Sequence, residues 1–147
     1  MVDECLKATT KLLRRRGRHT TFLPGEIELE AMTIQLRRQG MKDGRYRYNA
    51  DGILRANNFL NLELMLTEVS CGLNKSDNSK VSFDHYKAMF GSLAMLRTLA
   101  ETYKEASFDT FRQLKVHFLH AHGKYYLLYI VFFSCFIAIL VLTAIYI

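Results

Sequence analysis

"YYLLYIVFFSCFIAILVLTAIYI", Tyr125–Ile147, contains no charged side chain, and every Asp, Glu, Lys and Arg of the chain lies before it. As a helix rising about 1.5 Å per residue, this stretch would reach roughly 35 Å, enough to cross a hydrocarbon core of about 30 Å. Helices in small soluble cores are rarely apolar on every side for so long. The stretch therefore predicts a C-terminal transmembrane helix. Lys124, Tyr125 and Tyr126 mark its entry, because lysine and tyrosine suit the headgroup interface, and Tyr146 can do the same on the far side. Arg112, Lys115 and Lys124 place the preceding portion in the cytosol. A signal peptide would stand at the other end of the chain.

Working outward, the expected layout is a tail-anchored, single-pass membrane protein in three parts. Residues 1–22 form a basic N-terminal helix and connector, residues 23–122 a helical cytosolic domain, and residues 123–147 the anchor. The 147 residues suffice for one small domain plus one further element. The net charge of +6 belongs entirely to the part before the anchor. Its densest patch, "KLLRRRGRH", carries Arg14, Arg15, Arg16 and Arg18. One reading gives these arginines to an anionic lipid surface, where each basic residue contributes about 1 kcal/mol. The other makes them the solvated last turn of a helix ending at Gly17. A mitochondrial presequence is a third reading, against which Asp3 and Glu4 count.

No interleaving of basic and aromatic residues points to nucleic acid. Cys5, Cys71 and Cys135 are odd in number and scattered, which fits reduced thiols. An intracellular membrane is expected. A long span without trailing basic residues favours the endoplasmic reticulum or secretory pathway over the mitochondrial outer membrane.

Apolar spacing before the anchor reads as helical throughout. A first helix is expected from Val2 to Arg16, and a second opens at Pro24 with Glu26, Glu28 and Glu30 in its early turns. A third, Ile53 to Val69, carries Leu54, Leu60, Leu62, Leu64, Met65 and Leu66. Ser82 is the expected N-cap of a fourth, whose stripe runs Tyr86, Met89, Phe90, Leu93, Leu96, Ala100 and Tyr103. Ser107 caps a fifth bearing Phe108, Phe111, Leu114 and Phe118. The fold class expected is all-α, a small helical bundle plus one transmembrane helix.

"NKSDNSKVSFDHYKAMF", Asn74–Phe90, has the rhythm of a calcium loop running into its exiting helix. Asn74, Ser76 and Asn78 fall at the first three ligand positions and His85 at the twelfth, so no ligand position holds a carboxylate. Calcium affinity follows ligand charge, and this loop is expected not to bind below millimolar. "RYNADGILRANNF" offers Asn49, Asp51, Gly52 and Leu54, but Arg47 at the first position. "LPGEIELEAMTIQL" is similar to the entering helix of such a hand. On these stretches the chain resembles a degenerate EF-hand, calmodulin-like protein. The two loops start too close together for two complete hands. What the resemblance implies is a helical pair presenting an apolar groove to a partner peptide.

A competing resemblance is to the Bcl apoptosis regulators, helical bundles with C-terminal anchors. "LRRQG" at Leu36–Gly40 looks like their death-motif helix, with Met41 in place of its aspartate. "SFDTF" at Ser107–Phe111 looks like their "WDTF".

His117, His120 and His122 are close in sequence, and on a helix His117 and His120 would share a face, so a metal pair is one reading and polar contact at the interface the other. No nucleophile motif, phosphate loop or paired carboxylate points to catalysis. No enzyme activity, cofactor or metal is expected. The function expected is a non-catalytic regulator or adaptor that binds a protein through Tyr86, Met89, Phe90, Leu93 and Leu96, unless these residues are simply core. The alternative is an accessory subunit of a multi-subunit membrane complex, its span packing laterally against larger partners. The small residues of the span, Ser134, Ala138, Thr143 and Ala144, are however too scattered for a clear dimer motif.

Overall fold

A computed structural model describes Lys7, Lys11 and residues 19–41, 44, 47–58, 60–71, 77–123, 125–134 and 137–146. The chain is not all-α. It is a mixed α/β fold: a six-stranded sheet whose strands lie side by side in sequence order. These are β1 (Thr20–Glu28), β2 (Asn49–Ala56), β3 (Leu62–Cys71), β4 (Lys115–His122), β5 (Tyr125–Ser134) and β6 (Ile137–Tyr146). The helices whose bounds lie among the described residues are α1 (Glu30–Arg38), α2 (Asn78–Thr102) and α3 (Phe108–Arg112). Every adjacent pair of strands is antiparallel except β3 and β4, which run parallel.

The stretch expected to cross a membrane as one helix is instead the β5–β6 hairpin, paired without interruption from Tyr125↔Tyr146 to Ser134↔Ile137. Among the described residues no helix is long and apolar enough to cross a membrane, so the helical tail anchor is corrected. The physical reason lies in the side chains. Tyr125, Tyr126, Tyr129, Ile130, Val131, Phe132 and Phe133 are aromatic or β-branched, the residues that suit a pleated surface best. A run apolar at every position carries no periodicity, so strand and helix look alike in it. Gly123, at φ +56°, takes the left-handed conformation that a tight two-residue turn between His122 and Tyr125 requires.

The expected third helix, Ile53 to Val69, is likewise β2, a turn and β3. Leu62, Leu64 and Leu66 alternate with Glu63, Met65 and Thr67, a period of two. Both hands of the EF-hand resemblance fall with this correction. The first candidate loop lies in β2, while Pro24 and the start of its entering helix lie in β1. Asn78 and His85 of the second loop lie within α2, and Asn74 and Ser76 are outside the described residues. The Bcl-like bundle falls for the same reason, since a sheet replaces its central helices.

The helix α2 forms because Asp77 caps it, its side chain accepting from the Lys80 N–H at 3.0 Å. Its buried residues Asp84, Ala88, Gly91, Ser92, Met95 and Leu99 fall on one face at helical spacing. Small residues bring this helix close to the sheet. A Cβ on Gly91 would meet Leu66 Cδ2 and Tyr48 Oη at 2.9 Å and Leu29 Cδ2 at 3.0 Å. The core beneath it is built from Leu29, Ile53, Leu66, Met95, Leu96, Val116 and Phe118.

The helix α1 begins at Leu29, which offers no side-chain cap. Glu63 of β3 supplies one instead. Its two carboxylate oxygens accept from the N–H groups of Glu30 and Ala31, each at 2.9 Å, and Arg55 donates to the same carboxylate at 3.0 Å. A negative charge thus meets the positive end of the helix dipole. At the far end of α1, Gln35 donates to Glu101 of α2 at 2.9 Å, and Arg38 pairs with the same carboxylate.

Two substitutions test this frame. Glu63→Ala uncaps α1 and leaves Arg55 to the more distant Glu30 carboxylate at 3.9 Å, and should cost roughly 2–4 kcal/mol in chemical denaturation. Gly52→Ala places a Cβ 2.6 Å from Phe22 Cζ and Thr67 Oγ1, and should cost about 1–3 kcal/mol by the same measurement. Losses near zero in both would mean that these contacts do not hold the sheet.

Candidate functional site

Two features stand out, a polar seam beneath the N-terminal half of α2 and an apolar stripe on the opposite face of the same helix. The seam arises where β3 and β4 pair in parallel and set Glu68 beside His120. Glu68 is almost fully buried. Tyr48 Oη donates to its Oε1 at 3.1 Å, Lys87 Nζ of α2 donates to its Oε2 at 2.9 Å, and the same ammonium lies 4.9 Å from the centre of the Tyr48 ring. Burial raises the Glu68 carboxyl to about 7, against the opposing pull of Lys87. Burial and the adjacent carboxylate hold the Tyr48 phenol protonated far above its ordinary range, which keeps it a donor.

One pleat further along, Ser70 Oγ lies 2.5 Å from His120 Nε2. His120 is buried, and that burial, helped by His122 and His85 and opposed by Asp84, lowers its imidazole to about 4. Burial also lowers His85 and His117. A recess of about 250 Å³ opens beside this seam, lined by His85, Tyr86, His120, His122 and Tyr129 among others. Its aromatic wall is close-packed. Tyr129 stacks on Phe118 at 4.8 Å, and His85 meets the edge of Tyr129 at 5.0 Å.

The Ser70–His120 distance is that of a nucleophile and its base. Ser70, however, is 3% exposed and is not among the residues lining the recess. The buried hydroxyl and imidazole satisfy each other's hydrogen bonding. Among the described residues no three His, Cys, Asp or Glu side chains are arranged to hold a metal ion. On a strand, moreover, His117 and His120 point to opposite sheet faces, whereas His120 and His122 share one.

The second feature lies on the outward side of α2. Phe83, Tyr86, Phe90 and Leu93 are 67%, 61%, 62% and 37% exposed at a spacing of three, four and three. Of the sequence-expected partner-binding residues, Tyr86, Phe90 and Leu93 lie on this stripe. Met89 is half-buried, and Leu96 is fully enclosed in the core. Phe83 stands a turn before the stripe that the spacing marks from Tyr86 onward. Spacing alone shows two apolar faces on α2, and only burial tells which one faces the sheet. Tyr125 and Tyr126, expected at a membrane interface, open β5, while Lys124 and the arginines at 14, 15, 16 and 18 are outside the described residues.

No family model matches the chain, and neither a curated protein nor a solved structure matches it.

The seam has a pH signature whose two parts oppose each other. His120 takes a proton less readily folded than unfolded, so its contribution to stability is lost as pH falls from 6.5 toward about 4. Glu68 holds its proton more readily when folded, so its contribution is lost as pH rises from 4.5 toward about 7. The wild type should therefore show a shallow stability profile across this range. His120→Gln should expose a decline with rising pH, and Glu68→Gln a decline with falling pH. Thermal unfolding across that range reads both, and slopes unchanged in both variants would contradict the assignment.

Proposed function

We propose that the protein is a non-catalytic interaction module that binds another protein through the outer face of α2. The observation that supports this reading is the exposed stripe Phe83–Tyr86–Phe90–Leu93, because large apolar side chains clustered at helical spacing mark contact surfaces. Aromatic residues are also the usual anchors of such contacts. Charge at the rim narrows the partner. Lys80 flanks the stripe and is exposed, Arg97 a turn beyond it is paired with Glu101, and the chain as a whole carries +6. A partner presenting an apolar groove with an acidic rim fits this face.

The triple variant Phe83→Ser, Tyr86→Ser, Phe90→Ser tests the reading. These side chains lie outside the core, so the melting temperature should stay within about 2 °C of wild type. A photo-crosslinker placed at Leu93 should capture one dominant partner with an acidic rim around an apolar groove, and the triple variant should lose that product at least tenfold. A large fall in melting temperature would make the stripe structural. Capture that persists in the triple variant would move the contact elsewhere.

A further inference from the structure

The two edges of the sheet differ in kind. At one edge, β1 is interrupted: Pro24 lacks an N–H, Gly25 stands at φ +99°, and the register to β2 shifts between Pro24 and Ile27. Glu26 and Glu28 put charge on the same strand. These are the devices by which proteins prevent edge-to-edge pairing. At the other edge, β6 has none of them. It runs for ten residues, Ile137–Tyr146, in unbroken register with β5, and contains no charge, proline or glycine. Among the described residues β5 is its only hydrogen-bonded neighbour, so its outer row of N–H and C=O groups has no partner strand.

We propose that β6 is a self-association edge, where two copies of the chain pair antiparallel, β6 against β6, around a twofold axis. Three observations favour a second copy as the occupant. In an antiparallel pair of identical strands about a twofold axis, a charge close to the axis would face its own copy. The uncharged β6 is compatible with itself in any register. Head-to-tail stacking of β6 on the β1 of another copy, which would grow open fibres, is opposed by the break at Pro24–Ile27. The closed twofold pair is the arrangement that remains. The contact is also continuous with the existing sheet, which it would extend across the axis without rearrangement of β5.

Adjacent residues of a strand point their N–H groups to opposite edges, so Val141→Pro and Leu142→Pro form a matched test. One of the two removes a donor from the β5 side and damages the hairpin. The other removes a donor from the open side and leaves the hairpin intact. The expected result is a wild-type chain sedimenting at twice its 17.1 kDa mass. The proline variant that retains the wild-type circular dichroism spectrum and melting temperature should sediment as a single chain. A double lysine variant, Val141→Lys with Thr143→Lys, should also sediment as a single chain, whereas Thr21→Lys on β1 should remain dimeric.

A monomeric wild type would overturn the proposal. So would a dimer that survives every β6 variant, a dimer lost in the Phe83, Tyr86, Phe90 triple variant instead, or flotation of monomeric wild type with phosphatidylcholine vesicles. Failure here leaves the α2 reading standing, because the two surfaces are altered by separate substitutions.

Discussion

Parallel pairing of β3 with β4 imposes the central constraint on this molecule. Antiparallel neighbours can be joined by a turn of two residues, as β4 and β5 are, but parallel neighbours require a connection that travels back along the sheet. Here that connection is α2, followed by the short α3. Its length and its small residues follow from that duty. Ala88, Gly91 and Ser92 let the helix lie low enough for Leu66, Met95, Leu96 and Phe118 to close into one core. The same placement turns Phe83, Tyr86 and Phe90 away from the sheet.

The crossover also explains why polar groups are buried where they are. A parallel pair aligns Glu68 with His120 directly beneath the start of α2, and α2 answers with Lys87, Asp84 and His85. Removing Lys87 alone would lift the pull that opposes burial, and the Glu68 carboxyl would hold its proton more firmly still. A seam of this kind aligns the helix over the strands by chemistry, where the surrounding apolar contacts would tolerate sliding. The Glu63 carboxylate does the same for α1 by receiving its first N–H groups. Acidic side chains from one strand, β3, thus fix both long helices.

How much of this was legible in the sequence differs by element. The helix α2 was visible in its apolar spacing, although its cap is Asp77 and not Ser82. The cap at Ser107 was visible as well, its hydroxyl accepting from the Thr110 N–H at 3.1 Å, but the helix it opens ends at Arg112, and Phe118, expected further along it, lies in β4. The strands were not. Leucines at 60, 62, 64 and 66 fit both a helix and a strand, and the alternation with Glu63 and Thr67 was the clue that decides it. Tyr125–Tyr146 gave no period at all, so its length alone suggested a membrane helix. The seam was out of reach because Tyr48, Glu68, Lys87 and His120 meet only through pairing across distant strands.

The parallel junction also orders the events of folding. The β5–β6 hairpin closes through neighbours in sequence, whereas β3 cannot meet β4 until the whole crossover has been made. Local contacts form faster than remote ones. The most water-averse part of the chain can therefore assemble before the layer that is to receive β4 exists. During that interval of refolding an uncharged hairpin stands exposed, open to clumping with other unfolded chains.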